Sequence, residues 1–542
     1  MSHFSGKLPI AFIHQDLGLI EWMTVAENLA FGLGFPRRGG LIQWKNVSRQ
    51  AEEALARVGG GISPSTRIHR LSRTDRSLVA IARALAANAE LLVLDEPTSS
   101  LPASDVDRLF IVLDGLRARG IGMLYVSHRL DEIFGLADTL EVLDLSGNAL
   151  RTLPDDLHRL AQLRVLFCSD NAFTEVPAAL GRCARLDMVA FKANRIQSVP
   201  AESLPPQLRW LILTNNQIES LPAELGRRPR LQKLMLAGNR LRALPPEMAS
   251  CQALELVRIA ANEFDALPAW LLSLPRLSWL AFSGNPFDEG PEVAAMNAVP
   301  TQSVAWRQLW LQHKLGEGAS GVIHQADWQR ADGSTQAVAV KLFKGEVTSD
   351  GWPHSEMAAC IAADRHPNLI EVLGRIHDHP EGTPGLVLKL VDPSFRNLAG
   401  PPSFQSCTRD VYGADARWSF ATAWRMAGGI ASAVAQLHEH GIVHGDLYAH
   451  NMLWNGQGDV MLGDFGAACF LPRDDEAASR TLERIEARAF GCLLEELLAH
   501  CEPAAEDEKA RHALLAQLQS RCMGADISAR PAFAEIASLL SA

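Results

Sequence analysis

The stretch LLVLDEPTSSL at residues 91–101 is an apolar run that ends in two carboxylates, Asp95 and Glu96. A buried parallel strand of this kind presents one carboxylate to magnesium and a second to a water molecule, and that chemistry needs a nucleotide. The nucleotide's phosphates would be cradled by a loop reading GxxxxGK followed by Ser or Thr, whose backbone N–H groups and lysine hold the phosphate oxygens. The sequence contains no such match: at the nearest place, Gly6-Lys7, Leu8 stands where the hydroxyl belongs and Met1 where the first glycine belongs. A second glycine pattern lies far downstream, where Gly316, Gly318 and Gly321 satisfy GxGxxG. Alone it is a weak signal, since other nucleotide-binding turns share it. Its sequel is informative: VAVK ends at Lys341, Glu356 follows in a helix-like stretch, HGDLYAHN supplies His444, Asp446 and Asn451, and DFG supplies Asp464, Phe465 and Gly466.

These residues must be positioned by more than one domain. At 542 residues the chain is too long for a single core, and about three domains are expected. With 47% apolar and 21% charged residues it has the composition of a globular protein, and its net charge of −11 argues against nucleic acid as a partner. No basic-then-apolar leader and no run of about 18 uncharged apolar residues is present, so direct membrane insertion is not expected and a cytoplasmic location is. Nine cysteines without a Cys-x-x-Cys pair read as buried thiols in a reducing compartment.

Three textures follow one another. Residues 1–137 alternate Ala- and Arg-rich helical stretches with short apolar strands. From 138 to 288 the pattern LxxLxLxxN repeats, with asparagines at 148, 171, 194, 216, 239, 262 and 285 and an apolar-Pro step after the first six of them. Seven units of about 23 residues cannot each bury their own leucines and must stack into a curved array. Outward columns of that array carry Val142, Val165, Met188, Trp210, Lys233, Leu256 and Trp279, and then Phe167, Ile212 and Met235. So apolar a face marks either a protein ligand, with Trp210, Met235 and Trp279 as anchors, or contact with a neighbouring domain. A connection at 289–305 leads into the third texture, 306–541.

The first texture, with Gln15, Ser72, Asp95, Glu96 and His128 in order, resembles the ATP-binding subunit of a sugar-type ABC transporter. The resemblance implies a Q-loop glutamine, a signature serine, the Walker B pair and a switch histidine. The Walker A loop is missing and LSRTD stands where LSGGQ is usual, so a truncated, non-catalytic remnant or scaffold is expected, fused without a linker to the repeats. The second texture resembles leucine-rich repeats, implying a solenoid.

The third texture resembles the protein kinase catalytic domain, of the bacterial Ser/Thr type, implying a two-lobed α+β fold and a multidomain leucine-rich repeat kinase. By that resemblance Gly316, Gly318 and Gly321 cover the phosphates of ATP, and Lys341 contacts them while held by Glu356 in preference to Glu346. Asn451 and Asp464 coordinate Mg2+, and Asp446 receives the proton of a Ser/Thr hydroxyl on a protein substrate. An alternative is a nucleotide-binding scaffold that transfers phosphate poorly; a transporter ATPase subunit is the third reading. The histidines 438, 440, 444 and 450 read as structural rather than zinc ligands. Four departures stand out: Gly445 replaces the arginine that precedes the catalytic aspartate, no Ala-Pro-Glu stretch follows Asp464, Glu486 occupies the place of a bracing aspartate, and Arg530 lacks its usual glutamate.

Overall fold

The computed structural model describes residues 10–14, 17–87, 89–98, 101, 103–126, 140–288, 290, 292, 294, 301–345, 347–472 and 474–541. Gln15, His128, Glu346 and most of 289–300 lie outside the described residues. The chain forms two compact units, Met1–Leu140 and Glu141–Ala542.

In the first unit three parallel strands, β1 (Ile10–Ile13), β2 (Leu91–Asp95) and β3 (Gly122–Val126), lie in that order. One face packs on helices α1 (Val25–Leu33), α2 (Trp44–Ala56), α3 (Arg73–Ala86) and α4 (Ala103–Arg117) through Leu92, Leu94, Leu29, Ile81 and Leu109. Thr24 starts α1 with a capping box to Glu27, which satisfies two otherwise orphaned N–H groups. Because side chains alternate along a strand, the other face carries Ile10, Phe12, Leu124 and Val126, all exposed, with Phe12 at 61%.

The second unit begins with seven three-residue strands, β4 (Val142–Asp144), β5 (Val165–Phe167), β6 (Met188–Ala190), β7 (Trp210–Ile212), β8 (Lys233–Met235), β9 (Leu256–Arg258) and β10 (Trp279–Ala281). Each pairs in parallel with the next to make one seven-stranded sheet. The repeat asparagines hold neighbouring turns together: Asn171 donates to the carbonyls of Leu145 and Cys168 and accepts from the Leu150 amide at 2.9 Å, and Asn216, Asn239 and Asn262 repeat the arrangement.

A six-stranded sheet follows, built from β11 (Ser303–Ala305), β12 (Leu309–Glu317), β13 (Gly321–Gln329), β14 (Thr335–Phe343), β15 (Val372–His377) and β16 (Gly385–Lys389), in the order β11-β15-β16-β14-β13-β12. Helix α5 (Pro353–Ala362) packs on it through Met357 and Ile361 against Phe343 and Leu386. The remainder is mainly helical: α6 (Phe420–Glu439), α7 (Glu476–Ala499), α8 (Lys509–Cys522) and α9 (Phe533–Ser541), with a hairpin of β17 (Met452–Trp454) and β18 (Val460–Leu462). Leu256 and Trp279 of the repeats belong to the same hydrophobic core as these helices, so the two regions fold as one body. All nine cysteines are free.

Candidate functional site

The glycine pattern lies on the antiparallel pair β12–β13, with the turn closed by a hydrogen bond from the Gly318 amide to the Gly321 carbonyl at 2.9 Å. Around Gly316 and Gly318 a side chain would meet open space, whereas at Gly321 a Cβ would come within 2.4 Å of the Leu342 carbonyl oxygen. The first two glycines leave the strand surface bare for a ligand; the third permits close strand packing.

Lys341 on β14 forms a nearly buried ion pair with Glu356 on α5. Burial works to lower the lysine pKa, but Glu356, Cys360 and Asp464 together outweigh it and the net shift is upward, which favours the charged ammonium. The second oxygen of Glu356 is buried and unpartnered.

Asp446 and Asn451 lie on the connection between α6 and β17. The Asn451 amide donates to the Asp446 carbonyl at 3.0 Å and to its Oδ2 at 2.7 Å, which leaves the Asn451 side-chain oxygen for other partners. His444 is fully buried, donates from Nε2 to the Gly463 carbonyl at 2.9 Å and accepts the Asp446 amide at Nδ1, so it ties the HGDLYAHN stretch to the DFG stretch. Asp464 adopts a left-handed φ of 54°. Burial, followed by the nearby carboxylates of Glu356, Asp446 and Asp350, raises its pKa. Crowding of like charges in a buried place favours a cation there. Among the described residues no group of three or more His, Cys, Asp or Glu could by itself hold a metal; a magnesium on Asp464 and Asn451 fits a set completed by phosphate and water oxygens. The residues present therefore fit ATP with Mg2+.

The four histidines are occupied within the protein: His438 with Glu486, His440 with the Ala362 carbonyl, His444 as above, and His450 with Asp410 at 2.7 Å. The departures noted in the sequence also acquire reasons. Gly445 has φ 71°, and a Cβ there would lie 2.4 Å from the Ala467 carbonyl oxygen and 2.8 Å from that of Leu280 in the repeats, so no side chain fits. Glu486 accepts the Gly445 amide at 2.7 Å and braces the loop. Arg530 is fully buried and donates to three carbonyls, of Gly524, Arg484 and, at 2.6 Å, Pro275 in the repeats.

The last part of the outward columns, at Met235, Leu256, Arg258 and Trp279, lies against this region. Of the two readings of their apolar character, contact with a neighbouring part of the same chain is the one found at Trp279 and Met235. Trp279 is buried, stacks on Tyr448 with centroids 4.3 Å apart and donates to the Leu447 carbonyl at 3.3 Å. Met235 packs against the helical core. Trp210 is half-buried and lies 4.1 Å under the Lys233 ammonium.

A residue not singled out by sequence reasoning enters the site directly. Arg258, at the end of β9 and 1% exposed, forms ion pairs with Asp446 and, at 2.7 Å, with Asp350, and donates to the Gly445 carbonyl at 3.1 Å. Its signal was its register: it stands in the same outward column as Phe167, Ile212 and Met235, directly beside Met235.

Comparison with known proteins agrees with three textures. A family model described as protein tyrosine and serine/threonine kinase matches residues 309–491, one for the ABC transporter matches 4–99, and one for the leucine-rich repeat matches 139–160. The N-terminal part is similar to the ribose import ATP-binding protein of Rubrobacter xylanophilus, 46% identical over 158 residues, or 28% of this chain and 30% of that protein. It is also similar to the ribose import ATP-binding protein of Corynebacterium glutamicum, 42% identical over 27% of this chain and 28% of that protein, and to the arabinose import ATP-binding protein of Rhizobium etli, 46% identical over 25% and 26%. The chain thus spans less than a third of the length of these relatives. It is a multidomain protein carrying a kinase domain, an ABC transporter ATP-binding segment and a leucine-rich repeat. Among the described residues no helix is long and apolar enough to cross a membrane.

Proposed function

We propose that the protein is an ATP- and magnesium-dependent protein kinase that phosphorylates Ser/Thr hydroxyls of a protein substrate, with the repeats as a solenoid packed on the kinase domain. The observation that carries this reading is the assembled Lys341–Glu356 ion pair on the same site as Asp446, Asn451 and Asp464. When bound, ATP with magnesium supplies the phosphoryl group and the charge that stabilises its transfer. The chain's residues do the rest. Gly316, Gly318 and Gly321 offer bare backbone to the phosphates, and Lys341 offers a secured positive charge. Asp464 and the side-chain oxygen of Asn451 would hold the metal, and Asp446 would orient the acceptor hydroxyl and take its proton. In the N-terminal segment Ser72 caps α3 by accepting the Asp75 amide, a structural role, and the sugar-import chemistry of the relatives is not assigned to this chain.

The test is transfer of label from ATP to the protein itself and to dephosphorylated casein, comparing wild type with Asp446→Ala and Glu96→Gln. The expected result is transfer lost in Asp446→Ala alone. Magnesium-dependent ATP binding without transfer in any protein would instead make it a nucleotide-binding scaffold.

A further inference from the structure

The repeats lie on the acceptor side of the site, and one side chain reaches its centre. Arg258 bridges Asp350, on the segment between β14 and α5, to Asp446, on the catalytic-loop stretch, and caps the Gly445 carbonyl between them. A guanidinium has five donors and no acceptor, and the three bonds that this one makes here all go to acceptors of the kinase domain. The consequence falls on Asp446. Its Oδ1 is held by Arg258 and its Oδ2 by Asn451 at 2.7 Å. An acceptor hydroxyl must come within about 2.6–3.2 Å of one of these oxygens to lose its proton, and the guanidinium stands there. Next to it, Trp279 covers the face of Tyr448, two residues after Asp446.

The hold extends to both sides of the site. The segment 347–351 is pressed on the repeats so closely that a Cβ at Gly238 would lie 2.8 Å from Val347, and one at Gly351 would lie 2.9 Å from Ser283. Loop 404–408 is bound by Arg209, whose guanidinium donates to the Gln405 carbonyl at 3.1 Å, and by Glu255 through Thr408. By contrast the nucleotide side is assembled, with Lys341 already on Glu356.

We infer that the repeat sheet is a built-in inhibitor of the kinase domain, with Arg258 as the residue that occupies the acceptor position at Asp446 while the ATP side stays ready. This rests on the kinase reading above. It also gives the missing Ala-Pro-Glu stretch a physical sense: the repeats fill the side of the domain on which a protein acceptor would lie, and Arg530 turns to the Pro275 carbonyl of the repeats.

The experiment measures transfer from labelled ATP to dephosphorylated casein, together with magnesium-dependent ATP binding, for full-length wild type, Arg258→Gln, Asp350→Asn, and Arg258→Gln combined with Asp446→Asn. Asp350 is 30% exposed, so its variant removes one end of the bridge without emptying a buried place. The expected result is a rise in kcat of at least tenfold in Arg258→Gln, a smaller rise in Asp350→Asn, unchanged ATP binding, and loss of all transfer in the double variant. Equal or reduced transfer in both single variants, with ATP binding kept, overturns the inhibitory role and leaves the kinase reading standing. ATP binding with no transfer in wild type or in either single variant overturns the kinase reading itself, and the inhibitory role with it.

Discussion

At the scale of single residues, Asp446 shows how one buried carboxylate is held in its charged form. Burial opposes its charge, but Arg258 first, then His450 and His444, hold its pKa below the usual carboxylate range. Replacing it with Asn keeps the size of the side chain but leaves one acceptor oxygen in place of two, so only one of the bonds from Arg258 and Asn451 can persist, and it removes the carboxylate proposed as the base. The expected outcome is a loss of transfer by about 10²–10⁴-fold with ATP binding retained, read by comparing turnover with nucleotide titration. Gly445 makes a separate prediction. Its left-handed φ and the carbonyls within 2.8 Å of a notional Cβ leave no room for alanine. Gly445→Ala is expected to destabilise the fold by at least about 1–3 kcal/mol, measured by chemical unfolding; an unchanged midpoint would contradict the packing described.

At the scale of elements, the register of β9 and β10 joins the repeats to the helical core. Trp279 lies in that core, and Trp279→Ala removes both the stack on Tyr448 and the bond to the Leu447 carbonyl. A loss of about 3–5 kcal/mol is expected for a buried aromatic of this size, seen as a lower unfolding midpoint for repeats and kinase together, since they share one core. Helix α7 carries a pH-sensitive carboxyl. Burial raises the Glu496 pKa to about 7, although Arg409 and Tyr412 contact it. An acid whose folded pKa exceeds its unfolded value, about 4.3 for Glu, binds more protons folded than unfolded between those values. Its contribution to stability is therefore present at low pH and is lost as pH rises from about 4 to about 7. Glu496→Gln is expected to flatten that part of the stability profile, measured by melting across the range.

At the scale of the whole molecule, the 1–140 unit presents an apolar sheet face. Ile10, Phe12, Leu124 and Val126 are exposed on it, and bare apolar patches favour association. The double substitution Phe12→Ser and Leu124→Thr is expected to lower binding of a hydrophobic dye and raise the soluble fraction, without changing phosphate transfer. In the second unit the apolar columns are covered within the molecule at Met235, Leu256 and Trp279, while Val142 at their start is exposed.

Legible in the sequence were the three textures, the repeat period, and the order of the glycine turn, Lys341, Asp446, Asn451 and Asp464, whose roles follow from the kinase resemblance and belong to the proposal. Those features are written in local spacing, which a strand or loop preserves wherever it is placed. Pairing Lys341 with Glu356 was also legible, because the strand-then-helix order puts a carboxylate within reach. The meeting of residues far apart in the chain was not legible there and came from the packed fold. Nothing local in Arg258 announces Asp446, 188 positions away, because a salt bridge between two packed regions depends on how their surfaces dock. The same docking brings the Leu280 carbonyl onto Gly445 and the Pro275 carbonyl onto Arg530, and turns the apolar column at Met235 and Trp279 to the chain's own kinase domain.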